Sequence, residues 1–149
     1  MELNRYNQNI RILPDICVLI SHTLSRLIEL DILDGFEILI PDLMEYIVQI
    51  LCEGRLQAGF HNEIDKLKEI EAKRKIDILF CSYEMPEIKS RKELIAREDD
   101  LILEIAVITN SILFTSDKGL RDKASSVKQP VIYFPAKYQK EIKDIAEDF

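Results

Sequence analysis

The chain has 149 residues, 47% of them hydrophobic, which suits one domain with a buried core and leaves no room for two full ones. A formal net charge of -7 excludes coating of nucleic acid by bulk electrostatics, because that mode needs a basic surface to displace counterions. No apolar run approaches the ~20 residues of a membrane helix: even "ICVLISHTL" meets Ser21 and His22.

In chain order, "MELNRYNQN" lacks the pattern of a signal peptide, which sets the expectation of a cytoplasmic protein. "IRILPD" reads as a short strand ending at Pro14 and Asp15, and "HTLSRLIELDIL" as a helix with Leu24, Leu27, Ile28 and Ile32 on one face, closed by Asp34 and Gly35. "FEILIP" is a buried strand. "DLMEYIVQILCEG" is a helix that starts after Pro41 and stops at Gly54, and a polar helix follows from Leu56 to Lys75. "DILFCSY" is a strand, and Glu84 to Arg91 form a loop around Pro86. "KELIAREDDLILEIAVITN" is helical, "ILFTS" a strand, "KGLRDKA" a short helix, "PVIYF" a strand and "AKYQKEIKDIAED" a terminal helix. Strands alternating with helices predict an α/β fold: a three-layer sandwich around a mainly parallel sheet of about five strands, spanning residues 1–149 as one domain.

Ligands of such sheets bind beyond the carboxyl ends of the strands, where strand-to-helix connections converge. Asp15 and Asp117 both fall there. Asp117, with Ser116, is equally well explained as the N-cap of the next helix. Asp15 is harder to explain locally, because it is followed by "ICVLI" and a lone buried carboxylate is costly unless it is paired, metal-bound or protonated. In "REDDLILEIA", Asp99 stands at helical spacing from Ile102 and Ala106 and so borders the apolar stripe, whereas Asp100 turns about 100° away. The competing reading makes Glu98, Asp99 and Asp100 a group of acids suited to a nearby helix N-terminus. Glu45 and Gln49 share one polar stripe of their helix, either solvent-facing or turned toward the acidic cleft.

The three cysteines, Cys17, Cys52 and Cys81, lie at irregular spacings in apolar surroundings, with no CxxC, and read as reduced core thiols. His22 and His61 read as surface or helix-edge residues outside any zinc-binding spacing. With four glycines and no G-x-G-x-x-G or Walker pattern, the chain lacks the phosphate loops of nucleotide-binding enzymes. A phosphoacceptor domain needs an adjacent acid pair after its first strand, and Asp15 stands alone.

In order and spacing, "LPDICVLI" with "SHTLSRLIEL", "FEILIP" and its acid-bearing helix, "GRLQAGF", "DDLILEIA" and "ILFTSDKGL" resemble the PIN domain, a metal-dependent nuclease domain. The version most similar is that of archaeal ATPases that also carry an RNA-binding module, over about Ile12 to Phe134. The resemblance implies a parallel α/β sheet and carboxylates that hold Mg2+ or Mn2+ for cleavage of single-stranded RNA. Asp15 matches the family's first acid, Asp99 the acid of D-x-x-I-x-x-x-A, and Asp117 the acid of the T-x-D turn with Thr115 as supporting hydroxyl. Ser116 and Asp100 are supporting neighbours, and Lys118, Arg121 and Lys123 are candidate substrate cations unless they simply form a solvated helix face.

Two departures stand out. Ile16 and Cys17 replace the small hydroxyl residues that usually follow the first acid, which predicts the loss of hydrogen bonds orienting Asp15. Glu45, the match for the family's glutamate, comes four residues after Pro41 where about six is usual. The resemblance therefore implies either a ribonuclease or a PIN fold that binds RNA or protein without cutting. It leaves room for a homodimer, a protein inhibitor or a larger RNA-processing assembly.

Overall fold

The computed structural model describes residues 10–73, 76–84, 86–139, 141 and 143. Five strands occur where the apolar runs predict them: β1 (Ile10–Pro14), β2 (Phe36–Pro41), β3 (Asp77–Cys81), β4 (Ile112–Thr115) and β5 (Val131–Tyr133). They form one sheet in the order β3-β2-β1-β4-β5, and each neighbouring pair is parallel. In central β1, Ile12, Leu13 and Pro14 are all buried; since successive side chains point to opposite faces, helices must cover both. This is the predicted α/β architecture. The buried side chains form one core, with Leu19, Leu24, Phe60, Leu94 and Ile102 closing on the sheet.

The helices differ in detail from their sequence pattern. α1 (Ile16–Ile20) starts directly after β1, in a stretch with no predicted helix, and α2 is only Thr23–Glu29. Between them His22 takes a left-handed φ of 61°, and its Nδ1 lies 3.0 Å from Oε1 of fully buried Glu63. Glu63 also accepts from the Ser25 N–H and hydroxyl, so His22 belongs to a polar network that fastens the start of α2. Chain reversal through left-handed Asp31 and Gly35 ends α2 early and leaves Ile32 exposed instead of on its apolar face.

α3 (Leu43–Leu51) stops before Cys52, and Gly54, at a φ of 54°, begins α4 (Gly54–Ala72) rather than terminating α3. α5 (Arg91–Ile108) is capped at its start by Ser90, whose Oγ accepts from Glu93 N, while the Glu93 carboxylate accepts from the N–H of Lys89, one residue before the cap. α6 is Lys118–Ser126. Of the predicted terminal helix, Ala136 to Gln139 are helical and most of the remainder lies outside the described residues, as does "MELNRYNQN". No helix among the described residues is long and apolar enough to cross a membrane.

Candidate active site

Parallel pairing of β1 with β4 sets Pro14 beside Phe114, so the residues that follow each strand emerge side by side. Asp15 N–H donates to the Phe114 carbonyl at 2.8 Å, which fixes the first acid against the second strand end. The Asp15 side chain is 5% exposed. Its Oδ1 accepts from Ile16 N at 2.7 Å as the N-cap of α1, and its Oδ2 accepts from Thr115 Oγ1 at 2.9 Å and from Cys17 Sγ at 3.2 Å.

These contacts correct two expectations. The carboxylate has a local role after all, capping a helix that periodicity did not reveal. The departure at Ile16 and Cys17 does not strip it of orienting partners either, because a backbone N–H and a thiol donate in place of hydroxyls. Burial and the Asp15 charge push the Cys17 thiol up to about 12, which favours the neutral thiol that donates to Asp15. Cys52 and Cys81 are also free thiols.

Thr115 joins the two acids. Its fully buried hydroxyl donates to Asp15 and accepts from Asp117 N at 3.0 Å. Asp117 is exposed, and its Oδ1 accepts from Gly119 N at 2.8 Å and Leu120 N at 3.4 Å, so it caps α6. Gly119 fits this cap for a steric reason: a Cβ there would come within 3.2 Å of that oxygen. Ser116 Oγ accepts from Gln139 Nε2 at 2.8 Å, which ties the start of the terminal helix to the same loop.

α5 delivers the remaining acids. Asp99 is raised by burial and then by the Asp117 charge, an effect opposed by Lys123. Glu98 is pushed up to about 7 by burial and by the charges of Asp15, Asp99 and Asp117. Asp15 is raised too: burial outweighs its three hydrogen bonds, and Asp99 adds repulsion. Asp15, Glu98, Asp99 and Asp117 thus sense one another, whereas exposed Asp100 lies 3.5 Å from Lys123 Nζ.

Glu98 is the functional candidate that the sequence reading missed, and the signal was present. It stands four residues after Leu94 and three before Leu101, both buried, so helical spacing sets it within the apolar stripe. Glu45 is the opposite case, and its expected place in the cluster is corrected. α3 buries Leu43, Met44, Ile47 and Val48, which turns Glu45 and Gln49 outward. The residue six after Pro41 is Ile47, 1% exposed in the core. Glu45 instead borders a depression of about 320 Å³ beside β3, with Asp42, His61, Lys68 and Phe80. A wider cleft of about 500 Å³, edged by Glu84, Glu87 and Glu104, includes none of the clustered acids.

The donor chemistry of the cluster is all oxygen, which suits hard divalent cations. Among the described residues, however, no three His, Cys, Asp or Glu side chains lie close enough to hold one ion together as they stand.

Of the candidate substrate cations, Arg121 pairs with Asp122 at 3.0 Å and stacks over Tyr133, and Lys123 faces Asp100. Lys118 is exposed at the start of α6.

No family model and no curated protein matches the chain. Among solved structures, a domain of a functionally unknown protein from Methanocaldococcus jannaschii DSM 2661 is similar, with a TM-score of 0.70 and 25% identity over 85% of this chain and 92% of that one. A PilT N-terminus domain protein from Sulfolobus solfataricus P2 is a more distant likeness, with a TM-score of 0.44 and 11% identity over 94% of this chain and 96% of that one. The first shares the fold. The second is too remote to carry an argument, so any reading of function stands on the residues.

Proposed function

We propose that this PIN-like domain is a ribonuclease that hydrolyses phosphodiester bonds of single-stranded RNA with Mg2+ or Mn2+ held by carboxylates. One observation carries the proposal: the Thr115 hydroxyl donates to Asp15 and accepts from the Asp117 N–H, joining two acids at adjacent strand ends whose charges, with that of Asp99, reach Glu98. Carboxylates gathered without a cation destabilise one another, which gives the group a physical purpose mainly as a cation site.

Asp15, Asp99 and Asp117 are the proposed ligands, and Glu98 takes the fourth carboxylate place that Glu45 does not fill. When bound, the cation neutralises charge on the phosphate and makes a water more acidic. The chain's own residues prepare the acceptors. Asp15 is locked by Ile16 N, Cys17 and Thr115, and its carboxylate keeps about one of roughly four acceptor positions for a ligand. Asp117 keeps its second oxygen clear of hydrogen bonds from the described residues. In the reaction water adds to phosphorus, one P–O ester bond breaks, and the departing oxygen takes up a proton.

A second reading, a PIN-like module that binds RNA or protein without cutting, is favoured by the outward-facing Glu45 and the absence of a ready three-ligand set among the described residues. Cleavage of fluorescent single-stranded RNA with Mn2+, with Mg2+ and with EDTA tests the two. Metal-dependent cutting that Asp99→Asn abolishes supports the nuclease; inertness across varied RNA with both metals favours the binding module.

A further inference from the structure

The two edges of the sheet are built differently. β5 spans three residues, with Pro130 before it and Pro135 shortly after, a short and proline-flanked form that resists pairing with another chain. β3 has neither device: its five residues, "DILFC", include no proline, glycine or lysine. Leu79 is 42% exposed and Phe80 40%. Neighbouring side chains point to opposite faces of a sheet, so this edge leaves apolar surface open on both.

The backbone of β3 is open as well. The Cys81 carbonyl accepts from Asp42 N–H at 2.8 Å and so points to β2. Along a parallel strand the N–H and C=O of one residue turn to the same side and those of the next to the other. Asp77 and Leu79 therefore also face β2, and Ile78 and Phe80 turn both groups to the outer edge. Among the described residues no backbone group pairs with them there.

A second copy of the same strand satisfies this edge. Run antiparallel with Leu79 on the two-fold axis, Ile78 of each copy stands opposite Phe80 of the other, and each such pair exchanges both N–H···O bonds. Slipping the register by one residue would set outward groups against inward ones. Leu79 then meets Leu79 in the non-hydrogen-bonded position, where side chains come closest, while Phe80 covers Ile78 of the other copy on the opposite face. The charges choose the same direction. In the sequence Lys73, Arg74 and Lys75 precede the strand and Glu84 and Glu87 follow it, so the flank of each copy stays basic before the strand even with Asp77 counted. Antiparallel pairing brings basic flank to acidic flank, whereas parallel pairing would set like against like.

We infer that β3 is a self-pairing edge, through which two copies of the chain join antiparallel along Asp77–Cys81 into one continuous sheet. β2 separates β3 from β1, so the interface leaves the carboxylate cluster uncovered and the inference stands apart from the ribonuclease reading. The strands of the two copies run in opposite directions, and their acid clusters face opposite ends of the joined sheet.

Sedimentation velocity of the full chain over a concentration series, in reducing buffer with EDTA, is expected to show a monomer–dimer equilibrium. Leu79→Lys sets like charges opposite each other on the axis and is expected to leave monomer alone, with a melting curve that confirms folding. Cys81 is a free thiol on the same strand, so the second test uses a Cys81→Ser background. Adding Leu79→Cys is expected to give a covalent dimer on mild oxidation, because opposed non-hydrogen-bonded residues have Cα atoms about 4.5 Å apart, within disulfide range. Cys81→Ser alone is expected not to cross-link, and the cross-link decides if Leu79→Lys does not fold. The inference is overturned if wild type stays monomeric, if the dimer survives Leu79→Lys, if Leu79→Cys does not cross-link, or if assembly continues past two copies.

Discussion

Glu98 and Glu45 are the same residue type, each on a helix beside the sheet, and the fold treats them in opposite ways. Glu98 faces inward from α5 among Asp15, Asp99 and Asp117 and is pushed up to about 7. Glu45 faces outward from α3 beside Asp42, His61 and Lys68, on the far side of β2 from the joined ends of β1 and β4. A carboxylate gains a chemical role here from the company it keeps, and motif spacing that counts acids along the chain does not identify which company that is. The contrast can be broken or sharpened by experiment.

The largest expected effect is on cleavage. Asp15→Asn is expected to lower metal-dependent RNA hydrolysis by more than the roughly 10- to 100-fold loss typical of an outer-shell partner, whereas Glu45→Gln leaves it within a few-fold. Equal losses in a kinetic comparison would erase the distinction between the two regions. The next effect is on metal-linked stability. A cation that binds only the folded chain adds about 2.7 kcal/mol at a hundredfold excess over its Kd, a shift visible in a thermal melt. Glu98→Gln and Asp99→Asn should remove most of that gain, and Glu45→Gln should not. If millimolar Mn2+ does not move the wild-type melt, the cluster is not a cation site.

Thr115→Val tests the bridge between the acids. It removes one donor from buried Asp15 and the acceptor of Asp117 N, which costs about 1–3 kcal/mol in denaturant unfolding, more than a hydroxyl deletion at exposed Ser126. A cost near zero would show that Thr115 holds nothing together.

The pH dependence follows from Glu98. Its folded value of about 7 lies above its ordinary 4.5, so the folded chain retains the proton to higher pH than the unfolded chain does. The associated stability is fully present below about 4.5 and is lost as pH rises through about 7. Solvent screening reduces its size because Glu98 is only half-buried. Melts in EDTA should therefore fall across that window, and Glu98→Gln should flatten the fall while Glu45→Gln does not. The smallest effect is that of Asp117→Asn on metal-free stability, because Asn keeps the α6 cap and removes a like charge. Metal-free stability should change by no more than about 0.5 kcal/mol, or rise slightly, while the Mn2+ gain disappears.

Local signals were sufficient for much of this. Short apolar runs located the five strands, because a stretch buried on both faces must be largely apolar, as Ile12 to Pro14 of β1 and Leu113 with Phe114 of β4 are. Alternation with helices was enough for a parallel sheet. Asp15 and Asp117 could be assigned to strand ends for the same reason, and Asp99 to the edge of an apolar stripe. Glu98 was equally legible from its spacing to Leu94 and Leu101, but it was absorbed into a run of acids.

Other features required the folded chain. α1 is five residues long, too short to show a period, and it forms because Asp15 caps it and the sheet packs beneath it. Cys17 becomes a donor to Asp15 only when the turn brings its sulfur to that carboxylate. The bridge by Thr115 joins residues a hundred positions apart in the chain. The rotation of α3 was decided by which four side chains the core accepted. Periodicity fixes where a residue lies on its own element; which element faces it is fixed by packing between segments distant in sequence, and that packing separated Glu45 from the acids and brought Glu98 to them.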